Sequence, residues 1–322
     1  MQWRNFTFLG VLVVFLFGAT ARAHDVTFDA WAESFKARAI AQGLSSTVVD
    51  EAFEGLEPDA RVIALDRKQP ESKVSLTRYL ENTITDGRIE KGRDMLAEHA
   101  EMLEKVSKRY GVQPKYIVAL WAIESDFGRQ QGSFSVIRSL ATLAYEGRRA
   151  EFFSKELIAA LKILQAENIP SSELRGSWAG AMGNCQFMPS TFLAYAVDAT
   201  GDGHRDIWTA KYDVFASIAN YLNSIGWNND EEWGRVVLVP DDFKTAETSL
   251  KQGKSANDWA KRGLKYVDGT APDGEATRYA IYAGTPEEGA LLVTDNFNVI
   301  LQWNRSRYFA TAVGTLADAI GE

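Results

Sequence analysis

The sequence predicts a mainly α fold of the α+β kind, a helical body carrying a small antiparallel β-rich part near the C-terminus. Three observations predict it. Apolar residues recur at spacings of three and four, between capping residues, through most of the first 235 positions. After Arg235, short strand-like runs alternate with Pro, Gly and Asp turns. From Ser306 the helical spacing returns. A chain of 322 residues, 46% hydrophobic and 24% charged, can bury a sizeable core and hold more than one subdomain.

Residues 1–23 read as a secretory signal. Arg4 supplies the positive end, Phe6 to Gly18 form a 13-residue apolar core, and Ala21-Arg22-Ala23 offers small residues for cleavage after Ala23. The alternative is an uncleaved anchor, but the core is shorter than the ~20 residues a spanning helix needs. No Cys follows it for a lipid anchor. The expected location is therefore the periplasm, with no stable membrane insertion.

Residues 24–110 read as an N-terminal helical subdomain. Phe28, Trp31, Phe35 and Ile40 share near-helical spacing, residues 47–53 follow the capping pair Ser45-Ser46, and residues 76–84 form another helix. Residues 111–235 are a helix-rich core opened by Gly111-Val112-Gln113-Pro114, with Pro114 suited to a first turn. Residues 236–300 carry the strands, at 236–239, 277–282 and 290–293, with a helix expected at 251–264. Residues 301–322 end in a helix over 306–320, with Ser306 as N-cap.

Arg4 and Arg22 are the only charges among the first 23 residues. The remainder holds 33 basic against 43 acidic side chains, a net charge of −10. Such a surface argues against nucleic acid as a partner. The single cysteine, Cys185, can form no internal disulfide and reads as a small buried apolar residue.

One segment points to chemistry. Ala119-Leu120-Trp121-Ala122-Ile123-Glu124 places a carboxylate at the end of an apolar run, on the face of Ile117 and Leu120 or Trp121. Gly128 can end the helix soon after. Desolvation and the negative helix end both raise such a carboxyl's pKa, as a general acid requires. The plain alternatives are a Glu paired with an Arg, or an exposed helix end. Asp126 points away and reads as solvated. Downstream, RGSWAGAMGNCQFMPST, from Arg175 to Thr191, combines glycines with Ser177, Asn184 and Gln186 and with the flat surfaces of Trp178 and Phe187. Gly176, Gly180 and Gly183, with Gly147 nearby, read as letting backbone approach a ligand. The mixture suits a sugar. Asp198, Thr200, Asp202 and the His204 carbonyl, with Gly203 at the sixth position, follow the opening of a calcium loop. Thr209 stands where the bidentate Glu belongs.

AIESDFG, EGRRAEFF, GSWAGAMGNCQFMPSTF, ATGDGHRDIW, SIANYL and LQWNRSRYFATAV, with DRKQPES at Asp66 to Ser72, together resemble the membrane-bound lytic transglycosylase B type of peptidoglycan-cleaving enzymes. The resemblance runs over nearly all of the chain after residue 28. It implies a lysozyme-like catalytic core and a soluble periplasmic member acting on peptidoglycan glycan strands as a monomer. It implies Glu124 as the one catalytic carboxyl, acid and then base, forming a 1,6-anhydromuramic acid end with no catalytic cofactor. It carries Ser177 and Gln186 over as cleft residues near the acid, Arg148 and Arg149 as contacts to glycan or peptide stem, Tyr221 as a residue orienting the acid, and Asn304 as a sugar contact. Trp303 and Phe309 stand where some members have Tyr, so that stacking survives where a hydroxyl contact is lost. Asp213 matches the late ligand of a structural calcium, with sodium as the other candidate ion. The alternatives kept beside this reading are a lysozyme-type muramidase using water and a non-catalytic wall-binding module.

Overall fold

The computed structural model describes residues 26–68 and 74–322. The segment read as a secretory signal, and Gln69 to Ser72 of the DRKQPES motif, lie outside the described residues. Among those described are 14 α-helices and seven short strands, the mainly helical make-up the sequence predicts, with four strands beyond the three expected.

The N-terminal third is helical: α1 (Phe28–Ala41), α2 (Ser46–Phe53), α3 (Ala60–Arg67), α4 (Leu76–Thr83), α5 (Asp86–Glu98) and α6 (Ala100–Tyr110). Local chemistry sets the starts of several. The side chains of Thr27, Asp59, Ser75 and Thr85 each accept a backbone N–H at the first turn of α1, α3, α4 and α5. The middle holds α7 (Pro114–Ser125), α8 (Val136–Glu146), α9 (Ala150–Glu167), α10 (Pro189–Tyr195) and α11 (Lys211–Ser224). Two short strands, β1 (Phe134–Ser135) and β2 (Arg175–Gly176), pair antiparallel and tie the start of α8 to the glycine-rich loop.

The β part holds β3 (Gly234–Leu238), β4 (Lys254–Ser255), β5 (Lys265–Tyr266), β6 (Thr277–Tyr282) and β7 (Ala290–Val293), in the order β4-β6-β7-β3-β5 with antiparallel neighbours. The helix expected over 251–264 shortens to α12 (Ala256–Lys261). Lys254 and Ser255 are drawn into the sheet against Arg278 and Thr277, and Ser255 caps α12. Edge pairing thus overrides helix propensity for the first residues of that run.

All the large helices feed one core, which includes Phe35, Val62, Leu103, Ile117, Leu140, Leu161, Phe215 and Leu316. The sheet sits between this core and a smaller one. Ile281, Leu291 and Val293 face the main core, whereas Ala280, Tyr282, Ala290 and Leu292 face Val237, Phe243, Trp259 and Leu264. That is the period-two alternation of a strand with both faces covered.

The chain then returns through α13 (Asp295–Trp303) to α14 (Arg307–Gly321), which packs on α7 and α5. Asn296 is buried at the start of α13. Its amide donates to the Asn228 and Glu231 carbonyls, at 2.8 Å each, and its carbonyl accepts the Asn228 N–H at 2.8 Å. This fastening fixes where the far end of α13 lands. No helix among the described residues is long and apolar enough to cross a membrane.

Candidate active site

Helix α7 delivers Glu124. Tyr116 through Ala122 are all at most 1% exposed, so the helix is covered on every side. Its carboxylate therefore appears at the last turn, where the chain leaves the core. The exit differs from the expected Gly128 stop. Asp126 and Phe127 themselves adopt left-handed φ angles of 51° and 58°. Gly128 is needed for another reason: a Cβ there would lie 2.2 Å from Asn184 Oδ1. Asp126 is not solvated as expected; it pairs with Arg129 at 2.8 Å and Arg88 at 3.8 Å.

Glu124 keeps part of its surface open, but protein atoms crowd its carboxyl. Oε1 accepts one hydrogen bond, from the Trp303 indole N–H at 2.7 Å. Burial pushes the group up to about 7, and the indole bond pulls it partly back. Among the described residues no cation contributes to that balance, so the guanidinium-paired alternative does not hold. Tyr79 on α4 is a neighbour the sequence reading missed. Burial, with the Glu124 charge adding to it, holds its hydroxyl above the ordinary value. Cys185 is buried as expected, and burial, with the Glu124 charge adding, pushes its thiol well up.

Asn184 anchors the carboxylate's support. It is fully buried, so it is not the sugar contact expected. Its Oδ1 accepts the Trp121 indole N–H at 2.7 Å, and its amide donates to the Ile207 and Trp208 carbonyls at 3.0 and 2.7 Å. Ser125 Oγ donates to the Asn184 carbonyl at 2.8 Å. One side chain thus locks the end of α7, the glycine-rich loop and residues 207–208 together. The loop's glycines serve the same closeness rather than a ligand. A Cβ on Gly176 would lie 2.2 Å from the Ala181 carbonyl oxygen, and one on Gly183 would lie 2.6 Å from that of Ile207.

The other expected residues divide. Trp303, expected as a stacking surface for substrate, is half-buried and bonded to the acid instead, with its ring against Tyr221 and Phe187. Tyr221 does not bond the acid. Its hydroxyl donates to the Gln302 carbonyl at 3.0 Å, and it reaches Glu124 only through the Trp303 ring. Phe309, at 5% exposure, is core. Ser177 Oγ accepts the Ala179 and Ala181 N–H groups at 3.3 and 3.0 Å, shaping its own loop. Gln186, at a left-handed φ of 49°, donates to the Gln131 and Gly183 carbonyls and leaves its Oε1 without a partner among the described residues. Asn304 is exposed and accepts the Ser306 N–H at 3.0 Å.

Arg148 and Arg149, expected on glycan or stem peptide, are held by Asp66 at the end of α3. Arg149 lies 3.0 Å and Arg148 3.7 Å from its carboxylate, which is itself buried. A buried carboxylate needs such compensation, so this pair has a structural duty that the sequence reading missed. Both guanidinium side chains remain more than 40% exposed.

In the acidic loop, Asp198 accepts the Gly201 and Gly203 N–H groups and the Thr200 hydroxyl, and Asp202 accepts the His204 N–H. Asp213 is fully buried and takes the N–H groups of Ala199, Thr200 and Asp206 at 2.9–3.0 Å. Asp213 therefore already acts as the strut that closes the loop. Among the described residues no three of His, Cys, Asp and Glu converge as a metal-holding group.

Comparison with known proteins places this arrangement. The family model described as the transglycosylase SLT domain matches residues 27–318. Membrane-bound lytic murein transglycosylase B of Escherichia coli (strain K12) is 32% identical over 256 residues. The match takes in 76% of this chain and 66% of that protein, so the chain spans just under two thirds of the relative's length. SltB3 from Pseudomonas aeruginosa, solved in complex with NAG-anhNAM-pentapeptide, superposes with a TM-score of 0.86 at 42% identity, covering 92% of this chain and 80% of that one. The Escherichia coli lytic transglycosylase Slt35 in complex with calcium gives a TM-score of 0.75 at 29% identity, covering 90% of this chain and 92% of that one. The mainly helical fold with a lysozyme-like core, expected from sequence, is thereby borne out. With Glu124 at the end of its buried helix and the match running almost end to end, the chain belongs to the transglycosylase SLT domain family.

Proposed function

We propose that this protein is a peptidoglycan lytic transglycosylase. It cleaves the β-1,4 bond between N-acetylmuramic acid and N-acetylglucosamine and leaves a 1,6-anhydromuramic acid end. The observation that carries this reading is the Glu124 carboxyl: crowded by protein, bonded to a neutral donor, and pushed up to about 7. It can hold a proton near neutral pH and release it. Protonated Glu124 gives its proton to the glycosidic oxygen as the C1–O bond breaks, and N-acetylglucosamine leaves with a hydroxyl. The Glu124 carboxylate then takes the proton of the muramic C6 hydroxyl as that oxygen bonds to C1. The carboxyl is restored and no water is consumed. Most glycosidases set a second carboxylate beside the first. Here the adjacent acid, Asp126, is committed to Arg88 and Arg129. The substrate's acetamido oxygen supplies the stabilisation at C1 that a second carboxylate would give.

In the same reading Gln186 Oε1 and the exposed Asn304 amide contact sugar, Ser177 shapes the cleft wall, and the exposed faces of Arg148 and Arg149 meet stem-peptide carboxylates. The apolar core of residues 6–18 supports export to the periplasm. The protein is read as acting as a monomer. A structural calcium in the acidic loop belongs to the proposal too. Asp198, Thr200, Asp202 and the His204 carbonyl would supply hard oxygen donors, while the buried Asp213 carboxylate, which already takes three N–H groups, would hold the loop closed beneath them. Such an ion would stiffen the loop and takes no part in the reaction.

The test is digestion of purified sacculi with the wild type and Glu124→Gln, with muropeptides read by mass spectrometry. Anhydro ends from the wild type, and none from the variant, are expected. Reducing ends would instead mark a muramidase using water. Equal wall binding with no turnover by either protein would mark a binding module.

A further inference from the structure

Trp303 is the last residue of α13, and its indole is held from several directions. The Tyr221 ring meets it edge-on at 4.7 Å between centroids, and Phe187 lies at 5.3 Å. Tyr221 is pinned in turn by its bond to the Gln302 carbonyl, one residue before Trp303. The bonds of Asn296 fix the other end of the helix. The indole N–H is thus aimed at Glu124 Oε1, 2.7 Å away, by packing that does not depend on Glu124.

An indole nitrogen only donates. A protonated carboxyl has one oxygen bearing hydrogen and one that only accepts. The hydroxyl oxygen accepts more weakly than the carbonyl oxygen, so the Trp303 bond to Oε1 favours Oε1 as the oxygen without the proton. We infer that Trp303 is a positioning residue which biases the exchangeable proton of Glu124 toward Oε2 and holds the carboxyl plane while the acid and base roles alternate. The inference rests on the reading of Glu124 as acid and then base. It explains why a neutral donor stands here. A guanidinium would orient the carboxyl equally well but would hold it ionised. The indole accepts either protonation state, and its bond strengthens once the carboxylate forms, so one oxygen both delivers and recovers the proton.

The first test reads the bond without activity. The Trp303 indole 1H–15N resonance, assigned by its loss in Trp303→Phe, is followed from about pH 5 to about pH 9, the range that brackets a carboxyl raised this far. It should move with a midpoint near the Glu124 value of about 7. In Glu124→Gln it should not move. A wild-type resonance indifferent to pH, or one that moves equally in Glu124→Gln, overturns the inference.

The second test uses Trp303→Phe, which keeps an aromatic ring against Tyr221 and Phe187 and deletes the N–H. Losing orientation should lower kcat about 10- to 100-fold with KM little changed. Losing the donor should move the alkaline limb of the kcat profile to higher pH. An equal loss at every pH, with the limb unmoved, marks a merely structural ring and also overturns it. Anhydro products from sacculi alongside a flat indole titration would leave the proposed activity standing and remove only this inference. A moving indole resonance in a protein that releases nothing would remove the proposed activity and the positioning role with it, leaving only the hydrogen bond.

Discussion

Replacing Glu124 by Gln should stabilise the protein in alkaline solution and leave its stability unchanged in acid. Glu124 is raised from an ordinary 4.5 to about 7, chiefly by burial. The folded state therefore binds this proton more tightly than the unfolded state does. Between those two pH values the native protein holds more protons, and its stability falls as pH rises. Below about 4.5 both states are protonated and the group costs nothing. Above about 7 the folded protein carries a crowded carboxylate that the unfolded chain would hydrate freely. At ~1.4 kcal/mol per pH unit, the full cost is ~3 kcal/mol. Glutamine has the same shape, keeps a carbonyl oxygen for the Trp303 N–H, and never ionises. Urea melts at about pH 4 and about pH 8 should give a wild-type-to-variant gap that opens from near zero to ~3 kcal/mol, on the order of 5 °C or more in Tm. Every other titrating group is common to both proteins and cancels in the difference. A gap independent of pH would refute the reasoning, because the carboxylate would then not be desolvated.

The remaining predictions concern its surroundings. Asn184→Ala strands the Trp121 N–H and removes the donor to the Ile207 and Trp208 carbonyls. It should cost about 3 kcal/mol in denaturant melts and lower turnover, and a cost below ~1 kcal/mol would deny Asn184 its anchoring role. The double change Arg148→Ala and Arg149→Ala leaves Asp66 buried without a cation and should cost ~3 kcal/mol, more than Asp66→Asn, which leaves two half-exposed arginines in water. The reverse order in urea melts would show that Asp66 is not the member needing compensation. Calcium added to chelator-treated protein should raise Tm, by an amount equivalent to ~2.7 kcal/mol at a concentration ~100 times Kd. Asp202→Ala should abolish that rise. An unchanged wild-type Tm would mean that the loop's own hydrogen bonds suffice.

Much of the architecture was legible in the residues. Pro114 opens α7, Ser306 caps α14, and residues 277–282 and 290–293 form β6 and β7. Each signal acts within a turn or a strand, where a missing N–H, a hydroxyl acceptor or β-branching decides the outcome locally. Glu124 was legible because an apolar run ended on it and because the glycine-rich motif and the family resemblance gave that carboxylate its company. The residues whose identity came through while their duties did not are those whose partners lie far along the chain. Arg148 and Arg149 answer to Asp66, about 80 positions upstream. Asn184 answers to Trp121 and to residues 207–208.

The sequence by itself determined the helical body, the place of the sheet and the one carboxylate at the end of a greasy helix. Caps, turns and periodicity are short-range forces already present in the unfolded chain. Tertiary structure decided what that carboxylate is. Trp303 stands 179 residues away, and nothing in the spacing of either residue says that they meet. Desolvation and a directed hydrogen bond exist only once two surfaces close on each other, so the acid's pKa and orientation belong to the fold.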